Sequence, residues 1–297
     1  MYLLRLLPLL LVLTLCTCDR APAAVETMDA TEPPTSNPYA ERIAGADERL
    51  AATEAGRLVA TAIDAHGGLQ TWYANGPLYY HFDYRPSEEG STPRNTYILN
   101  DYASSRAVHY LASDTSQQFG FDGRRAWSTT GEKVEGMSPR FWSLTPYYFV
   151  GLPFVLADEG INFERLDDDE LDGTTYNLVK VTYEQGTGDA DGDYYVLYLN
   201  PQTKQLDALR YIVSYPGYFP DGGHLPEKLM RITGKTQIDG ITVPTGFATA
   251  WWNEGEPGEI NTLVTVSDYE FRPETDLEGA FAMPAGAKEY NDLPDGR

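Results

Sequence analysis

A mainly-β domain built on one curved antiparallel meander is what three features of this 297-residue chain predict. Segments with strand alternation follow one another from residue 78 to residue 271, divided mostly by turn residues, with one insert at 138–157. Tyr is abundant, 21 beside 11 Phe and 5 Trp, and these aromatic types favour strands and surfaces that are half apolar and half wet. Several strand segments carry large apolar groups on both faces, so the sheet needs cover on two sides.

The chain opens on an address. Residues 1–15 are almost wholly apolar with Arg5 as their only charge. That is the layout of a secretory signal, and it is too short for a comfortable membrane span. The only cysteines follow at Cys16 and Cys18. Leu15-Cys16-Thr17-Cys18 is similar to the bacterial lipoprotein signal, with an aliphatic residue three before a lipidated Cys. This predicts a signal peptide over 1–17 and lipidation of Cys18. Cys16 is the less suited alternative, and a conventional or uncleaved leader is the competing reading. A chain maturing at Cys18 has no intramolecular disulfide and no cysteine-based zinc site. Residues 18–37 are acidic and Pro-rich, a flexible tether. Residues 38–297 then form a single domain, held by the N-terminal lipid anchor on a bacterial envelope membrane and facing the periplasm. The outer membrane is favoured, although Asp19 is similar to an inner-membrane retention signal and keeps the choice open.

Asn37-Pro38 is a helix start, a capping residue before Pro at the first helical position. The helix is expected to run to about His66, with Leu50, Leu58, Val59, Ala62 and Ile63 on one stripe. Gly67-Gly68 stops it. Leu78, Tyr80, Phe82 and Tyr84 then alternate with Tyr79, His81, Asp83 and Arg85, which is strand spacing. Further strands are expected near 95–102, 105–112, 116–121 and 124–130. Residues 138–157 break the alternation with aromatics and prolines, and read as short helices or a helical loop. Strand spacing resumes at Val179, Val181 and Tyr183, at Tyr194, Val196 and Tyr198, and at Leu209, Tyr211 and Val213. It recurs near 227–237, 242–252 and 261–271. About eleven or twelve strands in one meander must curve, because so many do not stay flat.

The order of these features resembles a known family. The helix, Ala65-His66-Gly67-Gly68, a meander, Phe121-Asp122-Gly123 with Trp127, the aromatic insert, and Tyr198-Leu199-Asn200-Pro201-Gln202-Thr203 together resemble the LolA/LolB-like superfamily of periplasmic lipoprotein and lipid carriers, over roughly 46–272. The resemblance implies an unclosed β-barrel, covered by the N-terminal helix and a central helical lid, around a cavity for acyl chains. It implies as ligand a lipid or the acylated end of a lipoprotein, with a carrier or acceptor role and no catalysis. The alternative on the same fold is a sensory or protein-interaction module of the envelope.

The formal net charge of −22 argues against nucleic-acid binding and against electrostatic docking on anionic lipid headgroups. There is no G-x-S-x-G elbow and no H-E-x-x-H, so no catalytic residue is assigned. Gly234-Lys235-Thr236 imitates the end of a phosphate loop but lies in a strand pattern. His66, His81, His109 and His224 are scattered, and His66, in the last turn of its helix where a charged His suits the dipole, is expected to cap or to pack there. Asp189, Asp191 and Asp193 resemble half a calcium loop but lack its Gly and Glu. No metal or cofactor is assigned. The acidic run Asp167-Asp168-Asp169-Glu170 reads as a solvated turn. The insert supplies Phe141, Trp142, Tyr147, Phe149 and Phe154 as candidate ligand contacts. It either fills the barrel permanently or covers an exchangeable ligand. Tyr80, Phe82, Tyr84 and Trp127 are the candidate wall. Tyr218 and Phe219, in the Pro/Gly loop 216–226, are candidates to touch a bilayer or to plug the barrel mouth.

Overall fold

The strands begin where side-chain alternation does. The computed structural model describes residues 37–294; the predicted signal peptide, Cys18 and nearly all of the tether lie outside them. Strand β1 (Leu78–Pro86) buries Leu78, Tyr80 and Phe82 and leaves the residues between them half-exposed. It is followed by β2 (Arg94–Asp101), β3 (Arg106–Leu111), β4 (Gln118–Phe121) and β5 (Ala126–Ser128). After a helical crossover come β6 (Ile161–Leu171), β7 (Thr174–Tyr183), β8 (Tyr195–Leu199) and β9 (Leu206–Tyr211). Then follow β10 (Lys228–Ile238), β11 (Ile241–Asn253), β12 (Glu256–Phe271) and a short β13 (Lys288–Glu289).

All thirteen strands form one sheet, ordered β13-β5-β4-β3-β2-β1-β12-β11-β10-β9-β8-β7-β6. Neighbours are antiparallel throughout. The two halves of the meander are joined by β1 pairing with β12. β13 and β6 are the free ends, so the barrel is unclosed. This is the expected mainly-β architecture with two strands more than the sequence patterns mark, β6 and β13.

β6 corrects the sequence reading. Asp167, Asp168, Asp169 and Glu170 lie in this edge strand, not in a turn. They flank an irregularity in its pairing with β7, between Leu166 and Asp169. Being exposed on both sides, they show no alternation. Charge and a bulge on an edge strand block pairing with another chain.

The N-terminal helix is two helices, α1 (Ala40–Ala51) and α2 (Glu54–Ala65), followed by α3 (Gly68–Ala74). The start lies later than expected: Asn37 closes a turn ahead of α1, its side-chain oxygen accepting from the Tyr39 N–H at 2.9 Å, and Tyr39 is the N-cap, with no side-chain cap hydrogen bond. The break comes at Thr53, whose extended backbone and hydroxyl, accepting from the Gly56 N–H at 2.9 Å, start a new helix. Gly67, at φ +124°, lets the chain pass the β10–β11 turn: a Cβ there would stand 2.4 Å from the Gly240 carbonyl oxygen. His66 is held neutral, burial pushing its pKa down to about 4. Its Nδ1 lies 2.8 Å from the Ala62 carbonyl, to which the neutral ring donates, so a charge–dipole contact is not its role.

Topology dictates where the lid goes. β5 and β6 lie at opposite ends of the sheet, and the chain between them must cross a face. Helix α4 (Pro139–Gly151) and a 3₁₀ turn at Phe154–Ala157 make that crossing. They share the concave face with α1–α3 over one contiguous core, from Val59 and Trp72 to Leu197 and Phe247. The opposite face is covered by elements the sequence patterns missed. Helix α5 (Leu277–Phe281) sets Phe281 against Leu99, Val108 and Trp127. Under β7–β10, Tyr198, Val196 and Leu229 form a second cluster, on which the Arg210 guanidinium lies, 4.7 Å from the Trp252 ring. Asn37–Arg297 is one compact unit whose core is complete within it, so this stretch carries its own folding information. Among the described residues no helix is long and apolar enough to cross a membrane.

Candidate ligand cavity

Between α4 and the concave sheet lies a cavity of about 660 Å³. Cross-strand register explains its wall, because residues directly opposite one another share a face. One row runs over four strands: Arg94 faces Tyr84, Tyr84 faces Val264, and Val264 faces Phe247. A second row runs Tyr195, Tyr211, Lys228. All seven line the cavity. Tyr195 and Tyr211 stack at 5.9 Å with rings 13° apart.

The lid supplies the other side. Ser138 caps α4 and Pro139 opens it. Phe141, Trp142, Tyr147, Tyr148 and Phe149 from this helix face the cavity. The Tyr148 hydroxyl is hydrogen-bonded to that of Tyr183. Phe149 packs 5.2 Å from Tyr211. Burial raises the pKa of the Tyr147, Tyr148, Tyr195 and Tyr211 hydroxyls, so they stay neutral donors near pH 7.

Charged groups sit at defined points. Arg140 is paired with Asp189, and its guanidinium lies 3.9 Å from the Phe121 ring centroid. Asp193 accepts from the Ser214 N–H at 2.5 Å, and burial pushes its carboxyl up to about 6. Arg94 lies between two rings, 5.0 Å from Tyr84 and 4.3 Å from Trp142. Lys228 lies 4.3 Å from the Trp251 ring, and burial lowers its pKa.

Of the expected ligand contacts, the cavity gathers Phe82, Tyr84, Phe141, Trp142, Tyr147 and Phe149. The other three lie elsewhere. Tyr80 is on the same face as Phe82 but sealed in the core, its hydroxyl accepting from the Asn100 side chain at 2.7 Å. Phe154 stacks on Trp72 at 4.3 Å beneath α3. Trp127 points to the opposite face, toward Phe281. Tyr218 is 40% exposed at the cavity mouth, its ring 4.9 Å from Phe141; Phe219 does not line the cavity and is half-buried. Sequence reasoning missed Arg94, Lys228 and the tyrosines of β7–β9. The register that sets Arg94 opposite Tyr84 and Lys228 opposite Tyr211 comes only with the strand pairing.

The candidate calcium loop is used otherwise. Asp189 holds Arg140, Asp193 holds the Ser214 N–H, and Asp191 accepts from the Gly186 N–H at 2.8 Å. Among the described residues no group of three or more metal-ligating side chains occurs. His109 is buried between Thr96 and the Ser143 carbonyl, its pKa lowered to about 3.

Residues 140–223, from the lid through β9 and the following loop, match a family model described as a family of unknown function, DUF6503. No curated protein matches the chain. Among solved structures, the chain is similar to a LolA superfamily protein from Nitrosomonas europaea, at 13% identity and TM-score 0.49 over 78% of this chain and 98% of that one. It is similar to an outer membrane lipoprotein-sorting protein domain from Vibrio parahaemolyticus, at 12% and 0.47 over 77% and 97%. A DUF1329 family protein from Desulfovibrio piger gives 12% and 0.49 over 77% and 99%. These likenesses concern the course of the chain, and no residue of a site is carried across.

Proposed function

We propose that the chain is an envelope binding protein that holds the apolar chain of a lipid, or of an acylated protein, between α4 and the concave sheet, and does no chemistry on it. The observation that carries this reading is the cavity itself. Its volume of about 660 Å³ falls within the roughly 300–1,000 Å³ of small-ligand sites, and its wall is dominated by aromatic side chains. Burying each CH₂ is worth about 0.8 kcal/mol relative to water. An acyl chain moving from a bilayer into this cavity exchanges one apolar setting for another, so uptake and release can both be easy. Lipidation at Cys18 would keep the domain beside its ligand's source, on the periplasmic side of an envelope membrane.

Native mass spectrometry of residues 37–297, secreted to a bacterial periplasm and gently purified, tests the proposal. A stoichiometric adduct of lipid mass, recovered by organic extraction, is the expected result. A clean protein mass, unchanged after incubation with envelope phospholipids, would reject it and favour a sensory or protein-interaction module.

A further inference from the structure

We propose that Arg94 and Lys228 form a headgroup site on the wall of the cavity, selecting an amphiphile with an anionic carboxylate or phosphate. The inference rests on the ligand reading above and adds to it the chemistry of the polar end.

Three observations carry it. Both side chains line the cavity, and register puts each in a row of cavity-facing aromatics, Arg94 beside Tyr84 and Lys228 beside Tyr211. Among the described residues neither forms an ion pair, in a chain with 44 Asp and Glu against 22 Lys and Arg. The contrast is Arg140 on the same cavity, which has Asp189. Finally, the Arg94 Nε is buried without a hydrogen-bond partner. Its charge rests on the Tyr84 and Trp142 rings, contacts that hold a guanidinium's face and leave its edge for an oxygen acceptor.

The two cations act on each other: Arg94 contributes to the lowering of the Lys228 pKa. An anion between them relieves that repulsion. Arg offers a planar fork and Lys a point charge, a combination suited to carboxylate or phosphate oxygens. The carboxylates that share the cavity have other partners: Asp189 is engaged by Arg140, and Asp193 accepts from the Ser214 N–H. Glu88, which acts on Lys228, is exposed.

Residues 37–297 and their variants would be titrated with four probes of matched chain: palmitate, hexadecanol, palmitoyl lysophosphatidylglycerol and palmitoyl lysophosphatidylcholine. Quenching of aromatic fluorescence gives each Kd. The expected result is at least about tenfold tighter binding of an anionic probe than of its uncharged or zwitterionic counterpart, falling with added salt. Palmitate preferred over lysophosphatidylglycerol assigns a fatty-acid source, and the reverse assigns a phospholipid. Arg94→Gln with Lys228→Gln should erase the preference of each anionic probe over its counterpart, read as the ratio of the two Kd values in the same variant. Arg94→Lys should keep the preference, which separates charge from lid packing. Equal binding of palmitate and hexadecanol, and of the two lysolipids, overturns the headgroup site and leaves the cavity reading standing. Failure of all four probes to bind overturns both.

Discussion

Arg140 at the start of the lid and Asp189 in the loop between β7 and β8 meet in a two-pronged ion pair, Nε to Oδ2 at 2.6 Å and Nη2 to Oδ1 at 2.7 Å. Both side chains are largely buried, 16% and 21% exposed. The pair ties α4 to strands it does not adjoin in sequence, across the cavity it covers. Arg140→Ala should cost about 1–3 kcal/mol, between the worth of an exposed pair and that of a fully buried one. It should raise hydrogen exchange over residues 139–151 while leaving β10–β12 protected. A double-mutant cycle with Asp189→Ala reads the coupling, and additivity would show that the two act independently.

Filling the cavity separates binding from folding. Val264 sits in the middle of the four-strand row, facing both Tyr84 and Phe247. Val264→Trp places a ring in open cavity space rather than in packed core. Lipid recovered with the protein should fall to background, with Tm lowered by only a few degrees, since space for the ring exists. Loss of cooperative unfolding would show instead that the site is tightly packed.

How much of this was legible in the sequence depends on what each element needs to be seen. Leu78, Tyr80, Phe82 and Tyr84 announce β1 because one of its faces is buried and the other is not. The lid shows itself by breaking alternation with aromatics and prolines. β6 stays hidden because its acidic half is exposed on both sides at a sheet edge. The cover at α5 is five residues long, too short for a helical period to register. Trp127 lies in a three-residue strand buried throughout, which gives no period to say which face it takes. Arg94 and Lys228 carry no local signal at all. Their place follows only once β2 is paired with β1 and β10 with β9, which turns Tyr84 and Tyr211 into markers for the residues opposite.

Asp193 makes stability depend on pH. Its folded pKa is raised from 3.8 to about 6, chiefly by burial, against which the Ser214 hydrogen bonds act. The ionised form is therefore disfavoured in the folded state. Stability from this group is fully present below about pH 4 and is lost as pH rises through about 6, amounting to about 3 kcal/mol at most. Asp193→Asn keeps an acceptor for the Ser214 N–H and removes the charge. It should raise stability at pH 8 and flatten the urea-midpoint profile between pH 4 and 7. An unchanged profile would mean that the carboxyl ionises normally.

Gly67→Ala tests the joint between the helices and the sheet. The residue has φ +124°, and a Cβ would press on the Gly240 carbonyl at 2.4 Å and the Ile241 side chain at 2.8 Å. Neither backbone can yield without moving the β10–β11 turn, where the Thr242 N–H donates to the His66 carbonyl at 2.8 Å. The expected loss is at least about 2 kcal/mol by urea unfolding. Gly90→Ala is the control: it shares a positive φ, +81°, but no atom lies within 4 Å of its Cβ, so it should cost less.

The acidic edge predicts an association phenotype. Asp167, Asp169 and Glu170 are exposed on β6, the free end of the sheet, while Asp168 is drawn to Arg165 and Asn177. Exposed single charges contribute little to folding, so Asp167→Asn, Asp169→Asn and Glu170→Gln together should leave the unfolding midpoint nearly unchanged. They do remove the like-charge repulsion that two such edges would feel on approach. Light scattering should then show dimers or larger species appearing with concentration, suppressed in the parent and sensitive to salt in the opposite sense: added salt should promote association of the parent and barely alter the variant. A variant that stays monomeric at every concentration would assign edge protection to the irregular pairing at Leu166–Asp169 alone.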